Sequence, residues 1–172
     1  MKSTYANRGQ SFEMLINIIN TQYKHQGIAL INKRPTPIKV LKSKGNKITM
    51  ATFESKSTVD YDGTYRGKSI AFEAKSTELS RFPLEMLADH QLKYLIDSAK
   101  HGAISFLLVE FRKQQKIFLC PIKFINEYYV QQASGGRKSI PLIDFETYLH
   151  EVPRHRVALD YLAIVDEFME KP

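Results

Sequence analysis

Hydrophobic residues recur along the chain at two spacings, one typical of helices and one typical of strands. A helix is predicted over residues 11–26, with Ser11 as its N-cap and Gly27 at its end, from the spacing of Phe12, Leu15, Ile16, Ile19 and Tyr23. A second helical pattern covers residues 85–100. A third begins after Asp160, which is expected to cap it.

Strand patterns lie between these helices. In residues 69–75, Ile70, Phe72 and Ala74 alternate with Ala71, Glu73 and Lys75, as in a strand buried on one face. Residues 27–31 predict a short strand, whereas 103–111 and 117–122 are nearly continuous apolar runs of the kind buried on both faces. Together these elements predict an α/β fold with a mixed central sheet flanked by helices, in a single domain over residues 1–172.

A hairpin is predicted between the first strand and the alternating strand. Pro35 and Pro37 exclude a helix there, and residues 38–41 and 47–53 form two strand arms around a Gly45-Asn46 turn. The arms are rich in lysine and contain few large apolar residues. Two interpretations follow: a basic hairpin that protrudes to bind a partner, or an ordinary solvated hairpin whose lysines protect its edges.

Charge is distributed unevenly. Residues 1–58 contain ten Lys and Arg against two acidic residues, a net charge of +8, whereas residues 59–172 contain fifteen against sixteen, a net charge of −1. A basic segment joined to a near-neutral remainder is typical of proteins that bind a polyanion. The candidate residues for binding a polyanion such as DNA are, in this segment, Arg8, Lys33, Arg34, Lys39, Lys42, Lys44, Lys47 and Lys56, and, in a later basic loop, Arg137 and Lys138.

The candidate chemistry lies in Asp60, Glu73 and Lys75. Glu73 and Lys75 point to the same side of their strand, with Cα atoms about 6.6 Å apart. A turn at Asp62-Gly63 would make the segment ending at Asp60 an antiparallel neighbour of that strand, so the two carboxylates would meet. Because adjacent carboxylates repel, a hard divalent cation such as Mg²⁺ is the expected occupant.

A metal ion there would polarise a phosphodiester and activate a water, while Lys75 orients that water or neutralises developing charge. Gln91, early in the second helix, is placed to hydrogen-bond a water or phosphate. Glu13 is either a charge that stabilises its helix N-terminus or a third acidic group at the metal. The alternative for Glu73 and Lys75 is an ordinary ion pair on the wet face of a strand.

Composition limits the cellular setting. Cys120 is the single cysteine and lies in an apolar run, so an intramolecular disulfide is excluded and a reducing compartment is expected. The first residues do not resemble a signal peptide, and the longest apolar run, residues 103–109, is too short to span a bilayer. A cytoplasmic protein is therefore expected.

Several short motifs, in this order and at these spacings, resemble the RecU family of Holliday junction resolvases, part of the PD-(D/E)xK, restriction-endonuclease-like superfamily. The resemblance spans most of the chain. Its motifs are Asn7-Arg8-Gly9, Lys33-Arg34-Pro35-Thr36-Pro37, Ser57-Thr58-Val59-Asp60-Tyr61, Phe72-Glu73-Ala74-Lys75, Phe82-Pro83-Leu84, Asp89-His90-Gln91 and Gly136-Arg137-Lys138-Ser139-Ile140.

The resemblance implies a restriction-endonuclease-like sheet and a homodimer that holds four-way junction DNA and nicks two strands with Mg²⁺ or Mn²⁺. Asp60 and Glu73 match the family's metal ligands, with the Ala74 carbonyl as a third, and Lys75 and Gln91 match its catalytic lysine and site glutamine. The hairpin of about residues 37–57 matches the stalk that enters the junction. The resemblance also implies a RecA-like recombinase as a partner.

One position departs from the family pattern: Asp62 stands where an asparagine is familiar, and is either an accessory metal ligand or a turn former. Two other functions remain open. A related nuclease could act on flap or duplex DNA with the same metal site. A non-catalytic protein of DNA architecture could bind junctions through the basic hairpin alone.

Overall fold

The computed structural model describes residues 5–55 and 57–170, and the side chains of residues 9–55 and 57–169. The helices are α1 (Tyr5–His25), α2 (Asp89–Lys100), α3 (Ile122–Ala133), α4 (Leu142–Tyr148) and α5 (Tyr161–Glu170), with a 3-10 turn at Leu84–Met86. The strands are β1 (Ala29–Lys33), β2 (Ile38–Lys44), β3 (Lys47–Phe53), β4 (Tyr61–Tyr65), β5 (Lys68–Thr77), β6 (Arg81–Pro83), β7 (Ile104–Phe111), β8 (Lys116–Pro121) and β9 (Ser139–Pro141).

A five-stranded mixed sheet forms the centre of the fold, in the order β1-β4-β5-β7-β8. Strands β5 and β7 run parallel and are joined by a crossover containing α2, whereas the other neighbours are antiparallel. The predicted α/β fold class, a mixed central sheet with flanking helices, is confirmed.

Alternation along β5 divides the core into two layers. Ile70, Phe72 and Ala74 pack in one cluster with residues of α1 and α5. Ala71 belongs to the other cluster, which draws on α2, α3 and α4. Because side chains alternate between faces, Glu73 and Lys75 are directed to the side covered by α2. The sheet therefore presents this acidic and basic pair beneath a helix.

Aromatic stacking fixes the register between β4 and β5. The ring of Phe72 lies between those of Tyr61 and Phe106, with centroid distances of 4.8 Å on each side. All three side chains are buried, and large stacked rings resist a shift of one residue because that shift would separate the rings and move them to the opposite face of the sheet. Tyr61 pairs with Phe72, so the preceding residue, Asp60, falls opposite Glu73.

The β4–β5 turn differs from the predicted one. It comprises Arg66 and Gly67, both with positive φ (47° and 74°), a conformation suited to a two-residue hairpin. The prediction of a turn at Asp62-Gly63 is wrong because both residues lie within β4. Gly63 is required there by close packing: a Cβ atom would lie 2.0 Å from the carbonyl oxygen of Leu30 in β1.

The predicted basic hairpin is present. Strands β2 and β3 form a separate two-stranded sheet joined by Gly45 and Asn46, and every residue of both strands is exposed. Gly45 has a φ of 59°. Because the hairpin buries none of its residues against the central sheet, it protrudes from the body of the protein.

Helix boundaries differ in several places. Helix α1 begins at Tyr5, so Ser11 lies inside it and does not cap it, and α2 begins only at Asp89, after the 3-10 turn. Asp160 caps α5, as predicted, by accepting a hydrogen bond from the Ala163 amide at 3.2 Å. Helices α3 and α4 were not predicted. Among the described residues, no helix is long and apolar enough to cross a bilayer.

Candidate active site

Asp60 and Glu73 face each other across the β4–β5 pair. The Asp60 amide donates to Glu73 Oε2 at 2.9 Å, and the Ala74 amide donates to Asp60 Oδ2 at 3.2 Å. These reciprocal bonds hold each carboxylate against the backbone of the opposing strand. The structure thus brings together the two acidic residues that the sequence paired.

Lys75 and Gln91 complete this constellation from two directions. Lys75 lies two residues beyond Glu73 on the same face of β5, and its Nζ donates to Glu73 Oε1 at 2.7 Å. Gln91, in the first turn of α2, donates from Nε2 to the same oxygen at 2.5 Å. The side-chain oxygen of Gln91, Oε1, accepts a hydrogen bond from the Ala88 amide at 3.1 Å and lies 3.4 Å from Lys75 Nζ. The start of α2 therefore fixes the orientation of Gln91.

Burial conflicts with ionisation at Glu73. Its residue surface is only 1% exposed, and this burial raises the pKa of its carboxyl to about 7, from an ordinary value of 4.5. The Lys75 ammonium opposes the rise in pKa, and the Asp60 carboxylate adds to it. A cation at this position would favour the ionised form of Glu73 by supplying the positive charge that solvent cannot.

The donor atoms fit a hard divalent cation. Asp60, Glu73 and the Ala74 carbonyl offer oxygen atoms, the ligands that Mg²⁺ prefers, and Asp60 is partly exposed, which leaves room for the waters that Mg²⁺ retains. Within the described part of the chain, no group of three or more His, Cys, Asp and Glu could hold a metal ion. Any cation here would therefore depend on these few protein oxygens and on water.

Glu13 lies close to this site. It lines a groove of about 540 Å³ together with Ala74 and Lys75, and its backbone carbonyl accepts from the Tyr61 hydroxyl at 3.1 Å. Its carboxylate, however, forms an ion pair with Lys33. Glu13 is part of the wall of the site, with a basic residue of β1 as its present partner.

Asp62 lies in β4, two residues after Asp60, and is paired with an arginine. Arg34 Nε is 3.2 Å from Asp62 Oδ2, and Arg34 Nη1 donates to Thr58 Oγ1 and to the Tyr94 hydroxyl. The structure therefore places Arg34, a predicted DNA-binding residue, in contacts within the protein.

The remaining predicted DNA-binding residues fall into three groups. Lys39, Lys42, Lys44 and Lys47 lie on the exposed hairpin, and none of these four is in an ion pair within the part of the chain that is described. Arg137 and Lys138 lie in an exposed loop before β9. Arg8 and Lys56 fall outside the residues whose side chains are described.

The sequence predicts no role of their own for four other residues beside the site. Arg112 and Lys113, in the β7–β8 turn, line the groove that also contains Lys75. The sequence signal for Arg112 and Lys113 is their position as adjacent basic residues between two apolar strands. Thr58 and Tyr94 contact Arg34 from 24 and 60 residues away, and no sequence pattern indicates such long-range contacts.

Residues 7–167 match the family model described as Recombination protein U. Proteins named Holliday junction resolvase RecU are similar along nearly the whole chain. The protein from Geobacillus sp. (strain WCH70) is 36% identical over 95% of this chain and 85% of its own length. That from Pediococcus pentosaceus is 38% identical over 99% and 88%, and that from Ligilactobacillus salivarius is 40% identical over 84% and 70%.

Among solved structures, the chain is similar to Hjc, a Holliday junction resolvase from Archaeoglobus fulgidus. The TM-score is 0.42 and the sequence identity is 12%, with 67% of this chain and 73% of that chain covered.

Proposed function

The chain belongs to the Recombination protein U family, and we propose that it is a Holliday junction resolvase, an endonuclease that binds four-way DNA junctions and cuts them during recombination and repair. The observation that carries this proposal is the opposition of Asp60 and Glu73, with Lys75 in contact with Glu73. Relatives at 36% to 40% identity are named as junction resolvases. Their names support the substrate class.

Asp60, Glu73 and the Ala74 carbonyl would hold the catalytic metal, Mg²⁺, and Mn²⁺ could replace it. When bound, such an ion polarises the scissile phosphodiester and stabilises the leaving oxygen. Glu73 must ionise for this, and the amide of Asp60 and the side chains of Lys75 and Gln91 already donate to its carboxylate. Glu13 and Asp62 lie at the edge of this ligand set, and each is paired with a basic side chain in the structure.

Lys75 and Gln91 act on the nucleophile and on the developing charge. The Lys75 ammonium forms an ion pair with Glu73. It is therefore placed to orient the attacking water and to neutralise the negative charge that develops on the phosphate oxygens. Gln91 contacts both Glu73 and Lys75 and holds the ammonium in position. No covalent protein intermediate is needed.

The protruding hairpin provides the junction contact. Its lysines, Lys39, Lys42, Lys44 and Lys47, are exposed on both strands and suit the dense phosphates of a four-way junction. The protein acts as a homodimer, because the two strands to be cut are related by the two-fold symmetry of the junction. Each subunit then supplies one catalytic centre.

An assay with a labelled immobile junction tests this function. We expect paired nicks in two strands of like polarity with Mg²⁺ or Mn²⁺, and none with EDTA. Equal nicking of junction, flap and linear duplex would favour a less selective nuclease. Junction binding without product at any metal concentration would favour a protein of DNA architecture.

A further inference from the structure

Arg34 lies where the hairpin leaves the central sheet. It directly follows β1, and Pro35 to Pro37 then lead into β2. Its backbone amide donates to the Asp60 carbonyl oxygen at 2.8 Å. The residue that begins the hairpin is therefore hydrogen-bonded to the backbone of one of the proposed metal ligands.

The Arg34 side chain contacts three other parts of the chain. Nη1 donates to Thr58 Oγ1 at 2.5 Å and to the Tyr94 hydroxyl at 3.3 Å, and Nε lies 3.2 Å from Asp62 Oδ2. The guanidinium carbon also lies 5.7 Å from the centroid of the Tyr94 ring. The planar guanidinium suits such a set of simultaneous partners, which a lysine could not reproduce.

These partners connect the hairpin with both sides of the active site. Thr58 lies where the chain returns from the hairpin, two residues before Asp60. Tyr94 lies three residues after Gln91 in α2, so the two are neighbours on one face of that helix. Arg34 thus joins both ends of the hairpin to the segment that carries Asp60 and to the helix that carries Gln91.

The same contacts argue against a direct phosphate contact. The side chains of Arg34 and Asp62 are 36% and 40% exposed, and Asp62 already supplies the counter-charge for Arg34. A phosphate at Nε or Nη1 would have to compete with that carboxylate and with the bond to Thr58. The free lysines of the hairpin offer charge without such a loss.

We propose that Arg34 is a positioning residue that couples junction binding by the hairpin to the placement of Asp60 opposite Glu73. This inference rests on the proposed function. The hairpin is exposed along both strands, so its orientation is transmitted to the body of the protein through its base, and Arg34 spans that base. Asp62, the departure from the family pattern, is accordingly the counter-ion of Arg34.

A double-mutant cycle on nicking rates tests the coupling. The two changes are Arg34→Ala and replacement of residues 42–47 by a short turn, made singly and together. Each single change should slow junction nicking at saturating protein by roughly tenfold or more, since small misplacement of catalytic groups is costly. In the Arg34→Ala protein, trimming the hairpin should slow nicking by no more than about twofold further.

Arg66 offers a matched control because it also pairs with an aspartate and lies over a tyrosine ring. It is 3.1 Å from Asp166, and its guanidinium carbon is 5.5 Å from the Tyr65 ring, at the end of β4 remote from Asp60. Arg66→Ala should leave the effect of hairpin trimming unchanged. Thermal unfolding checks that each variant is folded. If Arg34→Ala fails to fold, Thr58→Val takes its place, because it removes one contact of Arg34. In that variant, trimming the hairpin should slow nicking by less than it does in the unaltered protein.

The outcomes separate the coupling from the proposed function. The coupling is overturned if the slowing factors of Arg34→Ala and of hairpin trimming multiply in the double variant. It is also overturned if trimming does not slow nicking in the unaltered protein. A loss of junction affinity in Arg34→Ala with a salt-dependence slope lower by about one overturns it as well, because that marks a phosphate contact. If the unaltered protein nicks no junction with Mg²⁺ or Mn²⁺, the proposed function itself fails.

Discussion

The carboxyl group of Glu73 is buried, and it must ionise before it can bind a cation. Its pKa is about 7 in the folded protein, against an ordinary value of 4.5. Between these two pH values the folded protein binds more protons than the unfolded chain, so raising the pH lowers the free energy of unfolding. The stabilising contribution is complete below about pH 4.5 and is lost as the pH rises through 7.

Urea unfolding in EDTA from pH 5 to 8 measures this effect. For the unaltered protein, we expect the Glu73 contribution to lower the free energy of unfolding by on the order of 3 kcal/mol across the window. In Glu73→Gln, which cannot ionise, that decline should largely disappear. Saturating Mg²⁺ at pH 8 should restabilise only the unaltered protein, because the variant lacks the carboxylate. Equal declines in both proteins would assign the titration to another group.

Removing either proposed carboxylate ligand should separate cutting from binding. We expect Asp60→Ala or Glu73→Ala to lower junction nicking by more than about a hundredfold, because transition-state charge loses its stabilisation. Junction affinity should be nearly unchanged, since binding depends on phosphate contacts by lysine and arginine. Gel-shift and single-turnover nicking assays measure the two properties, with Asp97→Ala, at a half-exposed side chain of α2, as a matched control. Full activity in either site variant would refute the site assignment.

Sequence reasoning at the level of residues worked where partners follow from strand geometry. Glu73 and Lys75 are two positions apart, so alternation alone places them on one face. The partners of Arg34 could not be found this way because Thr58, Asp62 and Tyr94 converge only after the sheet and α2 are packed. A basic residue in a basic segment predicts a DNA contact, and this pattern gives no sign of the internal contacts that Arg34 makes in the structure.

Elements were predictable where their pattern is local. The hairpin was found from Gly45-Asn46 between two short arms, and β5 from its alternation. The β4–β5 turn was misplaced because Arg66, with a positive φ, is an uncommon residue for such a turn, while Asp62-Gly63 is a common signal. Gly63 is needed because β1 packs too closely for a side chain at this position. In the sequence, a glycine required by tertiary packing cannot be distinguished from a glycine required by a turn.

The hairpin as an element should determine preference for junctions. Replacing residues 42–47 by a short turn removes Lys42, Lys44 and Lys47 and shortens the protrusion. We expect the ratio of affinities for four-way over linear duplex DNA to fall by about tenfold or more, because several phosphate contacts are lost together. Competition gel shifts with the two DNA forms at fixed salt measure this ratio.

A charge-matched control separates shape from charge in that experiment. Lys68, Lys100 and Lys123 are exposed residues away from the hairpin, and changing all three to glutamine removes the same charge. This variant should keep the preference for junctions, while its affinity for every DNA form declines only modestly. An unchanged preference after hairpin trimming would contradict the role of the hairpin.

At the scale of the whole molecule, the excess positive charge lies next to the proposed catalytic centre. The hairpin and β1 carry most of the excess positive charge, and both adjoin the segment that holds Asp60. A single subunit has one such centre, whereas resolution requires cuts in two strands. The proposed homodimer supplies the second centre by symmetry, without further residues in the chain.

Mixed dimers test this arrangement. Unaltered protein with one affinity tag and Asp60→Ala protein with another can be refolded together, and dimers bearing both tags isolated. On a supercoiled plasmid with an extruded cruciform, unaltered dimers should yield linear product, because both strands are cut within one bound complex. Mixed dimers should yield nicked circles at roughly half the initial rate, since only one of their two centres is active. Linear product at the unaltered rate from mixed dimers would show that one centre cuts both strands in turn, contrary to the proposal of two centres acting as a pair.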